Sequence, residues 1–119
     1  LLNKYLHGID AFYEVELPKI FIFIHPLGTV LGRAKYSDFL VVYQRCGVGD
    51  NKGNSPVLAE YLTLHPGASI IGKSVIKKNC SIGSNSLVKD FELAENKVCI
   101  GNPSDYKLFD NLEINQVWK

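Results

Sequence analysis

Between Leu64 and Val88 an aliphatic residue returns at every sixth position, as Leu64, Ile70, Ile76, Ile82 and Val88. An α-helix places apolar residues three and four apart and a half-buried strand places them two apart, so neither accounts for the series. A period of six fits a chain wound around a triangular axis. Each side is one short strand and one corner, and every sixth side chain points inward. A second series follows four places behind the first, through Ala68, Ser74, Cys80 and Ser86. Small residues suit the crowded inside of a corner. Just before them stand Gly67, Lys73, Asn79 and Asn85, and glycine and asparagine tolerate the backbone that a corner demands. The pattern predicts an all-β chain folded as a left-handed parallel β-helix of hexapeptide repeats.

Upstream the series continues through Val42 and Val48, but Leu31 precedes Val42 by eleven residues instead of twelve. That predicts a distorted turn of the coil. Residues 50–56, DNKGNSP, break the pattern and predict a loop thrown outward, either a flap over a substrate or a disordered linker. After Val88 the repeat fades into a closing strand and a turn. In the tail, the spacing of Leu108, Leu112 and Ile114 predicts a short, weakly amphipathic helix. The expected division is a β-helix domain over 1–107 and a tail over 108–119. A coil this short leaves open ends and strand edges, and repeat folds need capping or assembly. A homotrimer with packed flat faces, or a dimer of trimers, is expected.

Composition narrows the function classes. A chain of 119 residues forms one domain. Its net charge of +1 supplies no global field for nucleic acid or an anionic membrane, so neither is expected as a partner. The longest apolar run, Ile20 to Ile24, is too short to span a bilayer, and no signal-peptide layout is present, which predicts a cytoplasmic protein. Three cysteines without CxxC spacing predict reduced, buried thiols. The chain begins at Leu1 and contains no methionine, so an N-terminal portion is expected to be missing from it.

Of the three histidines, His65 takes an outward place in its hexapeptide and is expected on the surface. His7 lies in a weakly patterned stretch. His25 follows the apolar run Ile20 to Ile24 and precedes PLGTVLG, at the end of a strand expected to be buried. An imidazole there suits a general base, since its ordinary pKa of about 6.5 lets it take a proton near neutrality. A histidine satisfied by a carbonyl fits the position equally well.

The motifs add to this. From Gly8 to about Lys107 the chain resembles the catalytic domain of serine acetyltransferases and related hexapeptide acyltransferases, including O-acetyltransferases of surface-polysaccharide pathways. HPLGTVLG is similar to the family's His-Ala-Thr-Gly-Ile-Val-Val-Gly, and the GID ending at Asp10 to its Gly-Val-Asp. The resemblance implies that His25 is the catalytic base and that Asp10 orients it. YQRCGVGD stands at the family's Gln and Gly-Gly segment, which implies that Gly49 lines the thioester site and that nearby backbone N–H groups hold the oxyanion. CIGNPSDY is similar to the closing Gly-x-Pro-Ala motif beside coenzyme A.

The resemblance further implies acetyl-CoA as acyl donor, with no metal. Its pantetheine would lie against Ala68, Ser86 and the Gly101 to Pro103 turn, and its phosphates would meet Lys73, Lys89 and Lys107. Two substrate positions depart from serine acetyltransferases: Ile24 replaces an aspartate, and Ser55 replaces the second family histidine. Losing the carboxylate removes a partner for an ammonium group, so a sugar or other small polar acceptor is expected in place of L-serine. The alternative is a non-catalytic trimerising module or an inactive homologue. The zinc-binding use of the same coil needs a closely spaced histidine pair, which the sequence lacks.

Overall fold

A computed structural model describes the backbone of residues 9–11 and residues 17–25 and 27–119 in full. The chain is a left-handed parallel β-helix of about four turns. It begins with β1 (Ile9–Ala11) and β2 (Phe21–Phe23). Next come β3 (Thr29–Leu31), β4 (Leu40–Val42), β5 (Gly47–Gly49), β6 (Val57–Leu58) and β7 (Thr63–Leu64). Two further turns carry β8 (Ser69–Ile71), β9 (Val75–Ile76), β10 (Ser81–Ile82), β11 (Leu87–Lys89), β12 (Glu92–Leu93) and β13 (Lys97–Ile100).

These strands form three parallel sheets, one on each side of the triangle. The first is β1-β3-β5-β8-β11, the second runs from β2 through β4, β7 and β10 to β13, and the third is β6-β9-β12. Register places the six-residue series in line along the axis: Val48 faces Ile70 and Ile70 faces Val88, while Leu64 faces Ile82 and Ile82 faces Cys99. Leu64, Ile70, Ile82 and Val88 are fully buried, as are the small corner residues Ala68 and Cys80. Each fully buried aliphatic contributes about 1.5–3 kcal/mol, so the column of stacked side chains is the main cohesive element. Cys46, Cys80 and Cys99 are free thiols within it.

The corners are ladders of left-handed residues. Phe39, Tyr61, Asn79 and Asn96 lie between the third and second sheets, with φ between 57° and 63°. Arg45, Gly67 and Asn85 lie between the second and first. At the corner after β8 the left-handed residue is Gly72, not Lys73, and the Lys73 N–H donates to the Asp90 carboxylate at 2.7 Å. The predicted distortion between Leu31 and Val42 has a local cause. Lys35 bridges to Val57, so Tyr36 fills the inner place one residue early, and its hydroxyl donates to the Gly32 carbonyl at 2.7 Å. Burial pushes the Tyr36 phenol well above its ordinary range.

Two expectations are corrected and a third, the outward loop, is given its form. Residues 50–56 carry a tight hairpin, in which Asn51 and Asn54 exchange backbone hydrogen bonds at 2.9 and 3.0 Å across Lys52 and Gly53. Both central residues have positive φ, the geometry of a type I′ turn, so the segment is ordered by its own backbone. The tail does not begin as a helix. Residues 107–110 form β14 (Lys107–Asp110), antiparallel to β13, and only a single 3-10 turn follows at Gln116–Trp118. Pairing with the open edge of β13 satisfies that edge, which a helix would not do. Finally, β2 is not a buried strand: Phe21 is 36% exposed, because β2 is the edge of its sheet.

The tail also explains an irregularity in β4, whose residues are buried on both faces. Val41 points outward yet is fully buried. Asn115 Nδ2 donates to Thr63 Oγ1 at 3.0 Å, and Trp118 packs edge-on against Phe39 at 5.3 Å, so the tail lies back over this outer face. At the other end of the coil, Tyr106 and Phe91 pack against each other and against the core, and the Tyr106 hydroxyl accepts from the Lys89 N–H at 3.1 Å. This pair is the cap that a short repeat coil requires. Among the described residues no helix is long and apolar enough to cross a membrane.

Candidate functional site

His25 immediately follows β2, where the chain turns from the second sheet towards the first. It is exposed and has a left-handed backbone, with φ at 48°. Its carbonyl accepts from Leu27 N at 2.9 Å, which closes a tight local turn. Among the described residues eight other non-glycine residues share that backbone region, so it marks a corner and is not by itself a sign of catalysis. The residue is exposed at the corner that leads from the second sheet towards the first.

Asp10 lies in β1, opposite Val30 in the parallel register, and its side chain lies outside the described residues, as does His7. The backbone therefore assigns Asp10 to the first sheet, next to β3, the strand that leaves the His25 turn.

The first sheet is bare in its middle. A Cβ on Gly32 would come within 2.6 Å of the Val48 carbonyl oxygen, so the last glycine of HPLGTVLG is required for close contact between successive turns. A Cβ on Gly49 would meet nothing within 4 Å. Gly49 thus leaves open space outside the sheet, which fits the approach of an extended ligand to the backbone. Its own carbonyl accepts from Gly72 N at 3.1 Å.

The remaining residues separate into groups. Ala68 and Ser86 cannot touch a ligand outside the coil: they are 0% and 2% exposed, and the Ser86 hydroxyl accepts from Gly101 N at 3.0 Å. Their inward place follows from the hexapeptide pattern itself, so both are withdrawn from the cofactor-binding set. Ile24 lies half-buried beside His25, and its N–H donates to the Val42 carbonyl at 2.8 Å. Ser55 is exposed at the base of the hairpin, beyond the other end of β5. One chain therefore does not bring Ile24 and Ser55 together.

Lys73 and Lys89 lie at the same edge as the hairpin, beyond β8 and at the end of β11. Lys107 starts β14, opposite Ile100. Gly101 and Pro103 belong to a turn in which the Asn102 carbonyl accepts from Asp105 N at 2.9 Å. Among the described residues no group of three His, Cys, Asp or Glu side chains is placed to hold a metal.

Sequence reasoning missed one feature. His65 faces outward as expected, but it is half-buried and stacks on Tyr43, with ring centroids 5.6 Å apart and planes 14° from parallel. Burial lowers the His65 pKa below its ordinary value. Tyr43 lies next to Ile24 in the ladder, and only the register between turns reveals the pairing.

Comparison with known proteins agrees with this architecture. No family model matches the chain. A curated serine acetyltransferase of Staphylococcus epidermidis is 28% identical over 92 residues, covering 73% of this chain and 43% of that protein. The chain therefore spans less than half the length of the curated relative it matches. A serine acetyltransferase solved in complex with cysteine superposes with a TM-score of 0.79 at 20% identity, over 96% of this chain and 44% of that one. A maltose O-acetyltransferase from Clostridium difficile 630 gives 0.58 at 12% identity, over 92% and 72%. The chain is thus similar to hexapeptide-repeat acyltransferases in sequence and in fold.

Proposed function

We propose that this β-helix is the transfer domain of an acetyl-CoA-dependent O-acetyltransferase acting on a hydroxyl of a sugar or other small polar molecule. The observation that carries the reading is an exposed imidazole at the turn into a sheet whose centre, at Gly49, is bare backbone facing open space. The sequence match to a serine acetyltransferase supports the same reaction class.

His25 takes the proton from the attacking hydroxyl at one ring nitrogen. Asp10 holds the other ring nitrogen and so fixes the tautomer. Backbone N–H groups beside Gly49 stabilise the negative charge that develops on the carbonyl oxygen, a contribution of about 3 kcal/mol per donor. Bound acetyl-CoA supplies the activated thioester. Gly49 and the Gly101 to Pro103 turn would line its chain, with Lys73, Lys89 and Lys107 for its phosphates. Ile24 offers no charge to an ammonium group, which favours a neutral acceptor over an amino acid.

The division of these residues between two edges supports a homotrimer, in which the hairpin edge of one copy, with Ser55, Lys73 and Lys89, meets the His25 edge of the next. The working compartment in this reading is the cytoplasm, where acetyl-CoA is made.

The test is release of free thiol from acetyl-CoA by the protein and by His25→Ala, across sugars, nucleotide sugars, polysaccharide fragments and L-serine. Release that depends on an acceptor and disappears in the variant is expected. Absence of release with every acceptor, together with no binding of acetyl-CoA, would replace this reading by a non-catalytic trimerising module.

A further inference from the structure

The corner that carries His25 is longer than the corners stacked on it. Phe21 pairs with Leu40, an offset of 19 residues, whereas Val30 pairs with Gly47, an offset of 17. The difference places two extra residues between β2 and β3 relative to the next turn. Later turns match one another at this corner: Val42 with Leu64 and Val48 with Ile70 are both offset by 22, and Leu64 with Ile82 and Ile70 with Val88 both by 18. Backbone bonds locate the insertion. Ile24 N donates to Val42 O at 2.8 Å, as Tyr43 N does to Leu64 O at 3.1 Å and His65 N to Ile82 O at 3.0 Å, which sets Ile24, Tyr43 and His65 level in one column. Leu27 O accepts from Arg45 N and Gln44 O from Gly67 N, both at 3.0 Å, which sets Leu27 level with Gln44. Tyr43 and Gln44 are consecutive, so His25 lies within the inserted pair, and it is exposed there.

Arg45 stands in the next turn at the same corner. Its N–H holds the Leu27 carbonyl, and its side-chain stem leans towards the His25 turn, because a Cβ on Gly28 would lie 3.4 Å from Arg45 Cγ. The residue is exposed, and no carboxylate among the described residues pairs with its guanidinium. Solvation alone is the ordinary state of a surface arginine. The seating of the stem against Gly28 distinguishes Arg45, since a stem already held in place loses less freedom when it binds. A guanidinium also makes two parallel hydrogen bonds to a carboxylate or a phosphate, a geometry that a lysine cannot reproduce.

We propose that Arg45 determines acceptor specificity, pairing with an anionic group, carboxylate or phosphate, on a sugar whose hydroxyl is delivered to His25. The inference deepens the O-acetyl transfer reading and rests on it. Ile24 removes the attraction for an ammonium group and Arg45 adds one for an anion, so the preference moves from neutral sugars to acidic ones. Charge attraction also concentrates such a ligand at the corner where the base is exposed.

The experiment compares matched probes: methyl β-D-glucuronide with methyl β-D-glucoside, glucose 6-phosphate with glucose, and L-serine beside them. Saturation-transfer NMR without acetyl-CoA reads binding, and thiol release reads turnover, for wild type, Arg45→Lys and Arg45→Asn. Asparagine already occupies this corner at Asn85, with φ at 57°, so the second variant suits the left-handed backbone, and thermal unfolding checks both folds. Wild type is expected to bind at least one acidic sugar about tenfold more tightly than its neutral partner. That preference is expected to vanish in Arg45→Asn and to survive in part in Arg45→Lys, with KM for acetyl-CoA unchanged. Preference for the glucuronide alone assigns a carboxylate, and for the sugar phosphate alone a phosphate.

Failure to bind either acidic sugar, equal binding of acidic and neutral partners, or an unchanged preference in folded Arg45→Asn would overturn the inference. Binding of L-serine alone would do the same. A raised KM for acetyl-CoA with the acidic preference intact would assign Arg45 to the donor's phosphates and overturn it too. Binding needs no turnover, so the two readings fail separately. Arg45-dependent binding of an acidic sugar without thiol release supports the inference while removing the transferase. Turnover of sugars with no acidic preference removes the inference and leaves the transferase.

Discussion

Asn79 and Asn111 hold each other by reciprocal hydrogen bonds: Asn79 Nδ2 donates to the Asn111 carbonyl at 3.0 Å, and Asn111 Nδ2 donates to the Asn79 carbonyl at 3.1 Å. Asn79 Nδ2 also donates to Asn96 Oδ1 at 3.0 Å. Asn79 is thereby both a left-handed corner residue and the anchor of the tail. Asn79→Ala loses the two bonds donated by Nδ2, keeps the one accepted by its backbone carbonyl, and places an alanine at a φ of 58°, so a loss of about 2–3 kcal/mol is expected. Urea unfolding followed by circular dichroism measures it. A loss below 0.5 kcal/mol would show that the tail is not tied to the coil at this corner.

Gly32 and Gly49 make an internal control. Gly32→Ala forces a Cβ against the Val48 carbonyl, backbone that cannot rotate away, and is expected to cost about 1–3 kcal/mol. Gly49→Ala meets open space and leaves the unfolding midpoint unchanged within error. If Gly49 lines the thioester site, the added methyl raises KM for acetyl-CoA while the fold persists. Equal destabilisation of both variants would contradict the close approach at Gly32.

The His65 environment sets a pH dependence of stability. Its folded pKa lies below the unfolded value of about 6.5 because burial disfavours the charged ring. The unfolded state therefore binds the proton first as pH falls. The neutral ring's contribution is fully present above about pH 6.5 and is lost as pH drops from there through the lower folded pKa. His65→Gln should flatten the fall in melting temperature over that window. An unchanged slope would place the titration elsewhere.

Burial raises the pKa of Cys46, Cys80 and Cys99, so all three are protonated and shielded at neutral pH. A thiol reagent is expected to react with none of them in the native protein within minutes, and with all three cysteines after unfolding in guanidinium. Rapid reaction of even one in the folded state would mean that the coil opens at that turn.

The hexapeptide period determined the inner residues of the coil. Local backbone repeats every six positions regardless of what lies far away, and so Leu64, Ile70, Ile76, Ile82 and Val88 could be assigned to the axis from spacing alone. The same series implied that Ala68 and Ser86 point inward, against their placement on the cofactor face. His25 and Ile24 were legible as neighbours of a strand end, because that follows from chain order.

Tertiary structure decided what depends on contacts between distant residues. The path of the tail, with Asn115 on Thr63 and Trp118 on Phe39, required partners in earlier turns, and a weak apolar spacing at Leu108, Leu112 and Ile114 carried no information about them. An unpaired strand edge at β13 outweighed the helical tendency of residues 107–110. The column of Ile24, Tyr43 and His65 joins positions whose spacing is interrupted by the short turn and by the hairpin at residues 51–54. Register between turns, set by backbone hydrogen bonds, is what brings them beside His25.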